Sequence, residues 1–201
     1  MLSRIATYLT DYLIRLEVLM SDDRDLYIYG FFLLVSHFFY LVVTLLAGML
    51  FDVVLESIVF YSVFMVIRNY AGGVHAKNEI VCTLLTTISI LVSISIMSYM
   101  YNCNYIIIPL IMLLFGSISI ICFAPLDSEE KPLDCEEVSI YRKASISGLV
   151  LFFLTALISF HFSFYGIAYA ISCAIFWEGI LLLAGYGGEG HLRIKIFTPK
   201  E

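Results

Sequence analysis

The chain has 201 residues, of which 61% are hydrophobic and 14% are charged. Soluble globular domains are about half apolar and about a quarter charged, so this composition excludes an ordinary soluble protein. The formal net charge of −6 leaves no basic patch for nucleic acid. The charges lie between nearly uncharged runs of roughly 20 residues, the length that crosses a bilayer. We therefore predict an all-α polytopic membrane protein with a single integral membrane domain over residues 1–201.

The N-terminal segment, residues 1–25, carries too many charges to be a membrane span or a cleavable signal peptide. Apolar residues recur in it at helical spacing with polar residues between them, which is typical of an amphipathic helix over residues 2–20. The apolar positions are Leu2, Ile5, Leu9, Leu13, Leu16 and Met20. Such a helix lies in the membrane interface or packs against the protein's own bundle. The pattern favours neither arrangement over the other.

Six apolar runs follow, and each one is predicted to be a transmembrane helix. The predicted spans cover about 26–50, 53–69, 79–101, 105–123, 145–163 and 165–186. The connection at 70–78 contains a pair of glycines, and the connection at 124–142 is the longest polar segment. The glycine-rich tail, residues 187–201, is predicted to be flexible and cytoplasmic.

The Lys and Arg residues indicate how these spans are oriented. All 11 fall in, or within two residues of, the N-terminal segment, the second and fourth connections and the tail, which lie on one side of a six-span chain. Cytoplasmic loops of membrane proteins carry the excess of such cations. We therefore predict a multi-pass protein of the cell membrane whose two termini and whose 70–78 connection are cytoplasmic.

The stretch 68–82 brings polar, charged and flexible residues together between two apolar runs. His75 and Cys82 supply an imidazole and a thiol, the minimum for nucleophilic thiol chemistry. Cys82 falls in the first turns of the third span, where the helix N-terminus favours a thiolate, and Arg68 and Lys77 add positive charge. We predict that Cys82 is the nucleophile and His75 the general base. A packed, inert thiol at the start of a helix is an equally good interpretation.

The spacing between His75 and Cys82 imposes a geometric condition. Seven residues of unbroken helix separate two Cα atoms by about 10 Å, which is too far for a side-chain hydrogen bond. His75 must therefore lie on a non-helical connector that folds back over the start of the third span. Gly72 and Gly73 permit such a turn, because glycine adopts backbone angles that other residues avoid.

Two further polar features lie within the spans. Cys82, Thr86, Ser89 and Ser93 share one face of the third span, which indicates either a polar groove or, as we favour, a close helix–helix contact. Glu178 lies in the cytoplasmic half of the sixth span, and carboxylates within membranes are costly. Three interpretations of Glu178 are open: it orients His75, it lines a substrate path, or it pairs with a buried arginine such as Arg68. Glu56 and His161 are the other ionisable residues within or close to spans, and His161 is interpreted as a bundle-packing or interfacial residue.

The pattern Arg68-x-x-x-Gly72-Gly73-x-His75-x(6)-Cys82 resembles the AgrB family of bacterial membrane peptidases. A second match covers 124–133, with Ala124-Pro125 and Lys131-Pro132. The resemblance implies a cysteine endopeptidase of quorum sensing that cleaves the C-terminal tail from an AgrD-type propeptide. The residue matching Cys82 is then the nucleophile and the residue matching His75 the base, and those matching Arg68 and Gly73 are associated with activity.

The same resemblance implies the later chemistry and the partners. An acyl-thioester on Cys82 passes its acyl group to a cysteine of the propeptide, which gives a cyclic thiolactone. From charge and proximity alone, and not from the resemblance, Arg68 or Lys77 is expected to hold the acidic tail. The expected partners are the propeptide, the lipid bilayer and a second copy of the chain in a homodimer, with no nucleic acid, no metal and no cofactor.

Two other functions are weighed against a peptidase. Six spans, Glu178 and the polar third span also fit a membrane transporter or exporter of a peptide or small solute, although the repeated halves common in transporters are not seen. A membrane scaffold without chemistry is the remaining alternative. Replacement of Cys82 separates the peptidase from both.

Overall fold

The computed structural model describes residues 2–72, 79–103, 106–126 and 134–188 of the chain. Within these residues the secondary structure is entirely helical, with seven α-helices and a single 3₁₀ turn at Ser21–Asp23. The helices are α1 (Leu2–Arg15), α2 (Arg24–Leu50), α3 (Val54–Ala71), α4 (Glu79–Cys103), α5 (Ile107–Phe123), α6 (Cys135–His161) and α7 (Tyr165–Gly188). The predicted all-α polytopic fold is confirmed.

Each of the six predicted spans corresponds to one apolar helix, α2 to α7. Among the described residues, five of these helices are long and apolar enough to cross a membrane, namely α2, α3, α4, α6 and α7. α5 is apolar but has only 17 residues. At 1.5 Å per residue it rises about 25 Å, slightly less than the hydrocarbon core of about 30 Å. Of the six predicted spans, five are therefore helices long enough to cross a membrane, and the fourth, α5, is a shorter helix.

α6 begins ten residues before its predicted start at 145, inside the polar segment. Asp134 and Glu137 form a capping box around the first turn, and the Asp134 N–H donates to Glu137 Oε2 at 3.2 Å. This box satisfies backbone donors that the first turn would otherwise leave unpaired. The helix therefore starts in water-compatible sequence and continues into the apolar run.

α7 is the central helix of the bundle. Inside the protein, 61% of its span is buried, whereas the other long spans are at most 33% buried. It packs against α3, α4, α5 and α6. The outer faces of those helices carry exposed Leu, Ile, Val and Phe side chains, as expected for surfaces that meet lipid.

α5 and α7 approach each other closely at two glycines. A Cβ atom added at Gly179 would lie 2.8 Å from Gly116 Cα, and one added at Gly116 would overlap the backbone carbonyl of Ile175. Small residues let helix backbones approach closely in membranes, where packing rather than burial from water drives association. The two glycines therefore fix how α5 sits on the central helix.

α1 packs against the start of α2. It buries Leu2, Ala6 and Thr10, and Asp11 accepts two hydrogen bonds from Arg24, at 2.8 and 3.2 Å. Of the two arrangements that the sequence allowed, packing against the protein's own bundle is therefore present. Ile5, Tyr8 and Tyr12 stay exposed on the other side of α1, so an interfacial position for that face stays a prediction.

We expect Gly116→Ala to destabilise the protein, because its new methyl group meets rigid backbone of α7. Overpacking of this kind typically costs about 1–3 kcal/mol. Thermal unfolding in detergent micelles would measure the effect. The matched control is Gly148→Ala in α6, where an added Cβ meets nothing within 4 Å. Equal unfolding temperatures for the two variants would contradict the close α5–α7 contact.

The docking of α1 is expected to depend on pH. The Arg24 guanidinium, chiefly through its hydrogen bonds, lowers the pKa of Asp11 below its ordinary value of 3.8. A lowered pKa means that the pair contributes stability above the ordinary value and loses it as the pH falls through the folded value. Spin-label distances between α1 and α2 should therefore lengthen only in strong acid.

Asp11→Asn should show the longer distance already at neutral pH, since the charge is then absent at every pH. The control is Asp25→Asn, which removes a fully exposed carboxylate 3.8 Å from Arg24. If Asp11→Asn kept the short distance near neutral pH, the pair would not hold α1 in place.

Candidate active site

Cys82 is the fourth residue of α4, so it lies in the first turn of the third span, as predicted. Its side chain is half-buried and its thiol is free of any disulfide. It continues the line of Thr86, Ser89 and Ser93, which are all buried inside the bundle. Cys82 is therefore partly covered by protein and partly exposed.

The polar face of α4 is a packing surface. Ser89 Oγ donates to the Leu85 carbonyl at 2.8 Å, and Ser93 Oγ donates to the Ser89 carbonyl at 2.7 Å. Both hydroxyls thus bond the backbone of their own helix, which satisfies them without water or a ligand. Together with their burial, this favours the predicted helix–helix contact over a polar groove.

The C-terminal end of α3 makes a sharp turn at Gly72. Its backbone angles are φ 79° and ψ −151°, and its N–H donates to the Arg68 carbonyl at 3.1 Å. This conformation is essentially restricted to glycine and costs other residues about 1–3 kcal/mol. The predicted turn after the second span is therefore present at Gly72.

The turn at Gly72 is in contact with the segment that follows α5. The Leu126 N–H donates to the Ala71 carbonyl at 2.9 Å. A Cβ atom at Gly72 would lie 2.5 Å from the Leu126 carbonyl oxygen. The two parts of the sequence that carry the family resemblance, one around Gly72 and one beginning at Ala124-Pro125, therefore meet in the fold.

Arg68 and Glu178 form a buried ion pair between α3 and α7. Arg68 Nη1 lies 3.7 Å from Glu178 Oε2, and the Glu178 side chain is completely inaccessible to solvent. The guanidinium also lies over the Phe64 ring, 5.8 Å from its centroid. Of the three roles considered for Glu178, the structure shows pairing with Arg68.

The other predicted site residues, Gly73, His75 and Lys77, lie outside the residues that the structure describes, as do Lys131 and Pro132 of the second matching segment. The approach of His75 to Cys82 therefore stays a prediction. In the part of the chain that is described, no group of three or more His, Cys, Asp or Glu residues could hold a metal ion.

A cavity of about 470 Å³ lies at the opposite end of the bundle from Cys82. It is lined by the first turn of α3, the end of α4 and the start of α7, with Glu56, Tyr101 and Tyr165 among its residues. α4 begins near Cys82 and ends near this cavity. The cavity is therefore separate from the candidate active site, and Glu56 belongs to it.

We expect removal of either partner of the Arg68–Glu178 pair to be strongly destabilising. A buried charge left without its partner costs about 3–5 kcal/mol, whereas replacing both partners with apolar residues is often neutral. Arg68→Met and Glu178→Leu should each lower the unfolding temperature, and the double variant should recover most of the loss. Thermal unfolding in micelles would measure all three.

Lys143→Met is the control for this cycle, since it removes an exposed cation from α6. It should leave the unfolding temperature nearly unchanged. Strictly additive effects of Arg68→Met and Glu178→Leu would show that the two side chains are not coupled.

Comparison with known proteins places the chain in a family. The family described as Accessory gene regulator B matches residues 3–182. An accessory gene regulator protein B of Staphylococcus aureus strain JH9 is 28% identical over 173 residues, which cover 86% of this chain and 83% of that protein. An AgrB-like protein of Clostridium perfringens strain SM101 is 26% identical over 148 residues, covering 69% of this chain and 68% of that protein. No solved structure matches the chain. Because the match spans nearly the whole sequence, the chain belongs to the accessory gene regulator B family.

Proposed function

We propose that this protein is a membrane cysteine endopeptidase that removes the C-terminal tail of an AgrD-type propeptide and promotes thiolactone formation. Membership of a family of quorum sensing supports the class of substrate. The observation that carries the proposal is the place of Cys82, half-buried in the first turn of a membrane-spanning helix. A thiol in that place is reachable by a peptide at the end of the bundle.

In the first step, the Cys82 thiol loses its proton to His75, and its sulfur attacks the carbonyl carbon of the scissile peptide bond. A carbon–sulfur bond forms and the carbon–nitrogen bond breaks. His75 returns the proton to the leaving amine, so the C-terminal tail departs with a free amino group. The remaining peptide is held on Cys82 as an acyl-thioester.

In the second step, the thiol of a cysteine within the propeptide attacks the thioester carbonyl. The new carbon–sulfur bond closes the ring, the bond to Cys82 breaks, and the proton passes to the Cys82 sulfur. The exchange of one thioester for another is nearly isoenergetic, so hydrolysis must be kept slower than cyclisation. Exclusion of water from the site serves that purpose, and the protein-facing side of Cys82 favours it.

The charged residues divide between two roles in this proposal. Arg68 is engaged by Glu178 inside the bundle, which supports a role in shaping the site. Lys77 is then the cation that binds the acidic tail of the substrate. Gly72 and Gly73 give the connector the turn that brings His75 to Cys82. The site is cytoplasmic, as are both termini, and the protein acts in a bacterial cell membrane as a homodimer.

Transport is the less well supported function. Six spans, a polar third span and Glu178 were the reasons to consider it. The buried serines of α4 use their hydroxyls on their own helix backbone, and Glu178 pairs with Arg68. Neither feature then lines a path for a solute.

Replacing Cys82 tests the proposal directly. We expect Cys82→Ala and Cys82→Ser to lose propeptide cleavage by about 10³-fold or more, since loss of a nucleophile removes the covalent route. The chain would be co-expressed with the propeptide, and mass spectrometry would detect the released tail and an adduct on Cys82. Unfolding temperatures should match the wild-type protein, since the substitutions are small and half-exposed.

The matched control is Cys122→Ala, which removes an exposed thiol from α5 and should leave cleavage intact. Cleavage that survives in Cys82→Ala would refute the peptidase proposal and favour a transporter or a scaffold.

A further inference from the structure

We propose that the backbone of Leu126 is a positioning element of the active site. Its contacts with Ala71 and Gly72, here named the Leu126 latch, fix the point from which the connector 73–78 leaves α3. This inference rests on the proposed function, because the connector carries the proposed base. It assigns a role to the segment after α5, which takes no part in the chemical steps.

The hydrogen bond of the latch lies inside the protein. The last carbonyl groups of an α-helix have no partner within the helix, and here the Ala71 carbonyl accepts the Leu126 N–H at 2.9 Å. Ala71 is completely buried and Leu126 is 8% exposed. Water does not compete for a hydrogen bond in such a place, and breaking it would leave a buried donor and acceptor unsatisfied.

The second part of the latch is a contact without room for a side chain. The Cβ position of Gly72 lies 2.5 Å from the Leu126 carbonyl oxygen and 3.3 Å from its nitrogen. Leu126 therefore contacts the C-terminal end of α3 in two ways. Its N–H donates to the Ala71 carbonyl, and its carbonyl oxygen lies against Gly72. The position and direction of the chain at Gly72 are both set by this contact.

Both elements of the latch are anchored to the central helix α7. α5, which ends just before the latch, packs on α7 through Gly116 and Gly179. α3 is joined to α7 by the Arg68–Glu178 pair. The latch thus closes a ring of contacts among three helices around the α3 terminus. A shift of the chain at Gly72 would move the connector relative to Cys82 on α4.

Positioning of this kind affects the rate more than binding. A displacement of about 1 Å between reacting groups can lower a rate about 100-fold. Loosening the latch should therefore reduce kcat while KM changes little, since the surface that receives the peptide is kept. A purely structural latch would instead lower the unfolding temperature without altering the chemistry of Cys82 in the folded fraction.

Gly72→Ala and Leu126→Pro loosen the latch in two independent ways. The first introduces a methyl group against the Leu126 carbonyl, and the second removes the N–H that Ala71 accepts. Each should lower kcat for propeptide cleavage about tenfold or more, with KM within about twofold. Gly148→Ala, the matched control on α6, should change none of these quantities.

Amide hydrogen exchange of the wild-type protein is the second measurement, and it needs no variant to fold. The Leu126 amide, which lies outside any helix, should exchange much more slowly than an unprotected amide. Exchange at the unprotected rate would overturn the proposal. A wild-type kcat in folded Gly72→Ala and Leu126→Pro would overturn it as well.

Failure of the latch can be told apart from failure of the peptidase. If Cys82→Ala is inactive but both latch variants cleave normally, the peptidase proposal stands and the latch has no positioning role. If Cys82→Ala still cleaves, the peptidase proposal fails, and slow exchange at Leu126 would then show a structural contact only.

Discussion

The ion pair between Arg68 and Glu178 is the constraint on which the candidate active site depends. Glu178 is fully buried on the central helix, and its carboxylate has no hydrogen-bond donor among the described residues. Such a charge is stable in a membrane protein only beside an opposite charge. Arg68 supplies that charge from the last turn of α3. The cost of separating the two keeps the end of α3 against α7, one turn before Gly72.

Much of the fold follows from the sequence because the bilayer is a demanding solvent. Lipid cannot satisfy backbone polar groups, so each long apolar run must be helical, and α2 to α7 appear where the apolar runs predict them. The start of α4 at Glu79 agrees with the prediction for the same reason. The turn at Gly72 agrees because glycine adopts backbone angles that other residues avoid. The early start of α6 was missed because polarity marks where a chain leaves the bilayer. Polarity does not mark the limits of a helix. The capping box formed by Asp134 and Glu137 lets α6 begin inside the polar segment.

The candidate site could be predicted less well from the sequence than the membrane spans. The place of Cys82 depends on local sequence and was predicted, whereas the partner of Glu178 depends on how α3 packs against α7. Composition showed that a buried carboxylate needs a cation but left Arg68 as one choice among several roles. The contact of Leu126 with Ala71 joins segments that are distant along the chain, and periodicity carries no signal for such a backbone hydrogen bond. Gly116 and Gly179 carry a weak signal, since each is a small residue in a run of large ones.

The fixed end of α3 bears on why a membrane protein would suit this chemistry. Acyl transfer between two thiols has almost no driving force of its own, so the product is decided by which nucleophile reaches the thioester first. If the connector that carries the base had no fixed position, water would reach the thioester as readily as the substrate thiol. The contacts of Arg68 with Glu178 and of Ala71 with Leu126 hold the end of α3, from which the proposed connector starts. The burial of Thr86, Ser89 and Ser93 on the same face of α4 keeps bulk water away from the protein-facing side of Cys82. Rigidity on one side and dryness on the other would then act together to favour ring closure over hydrolysis.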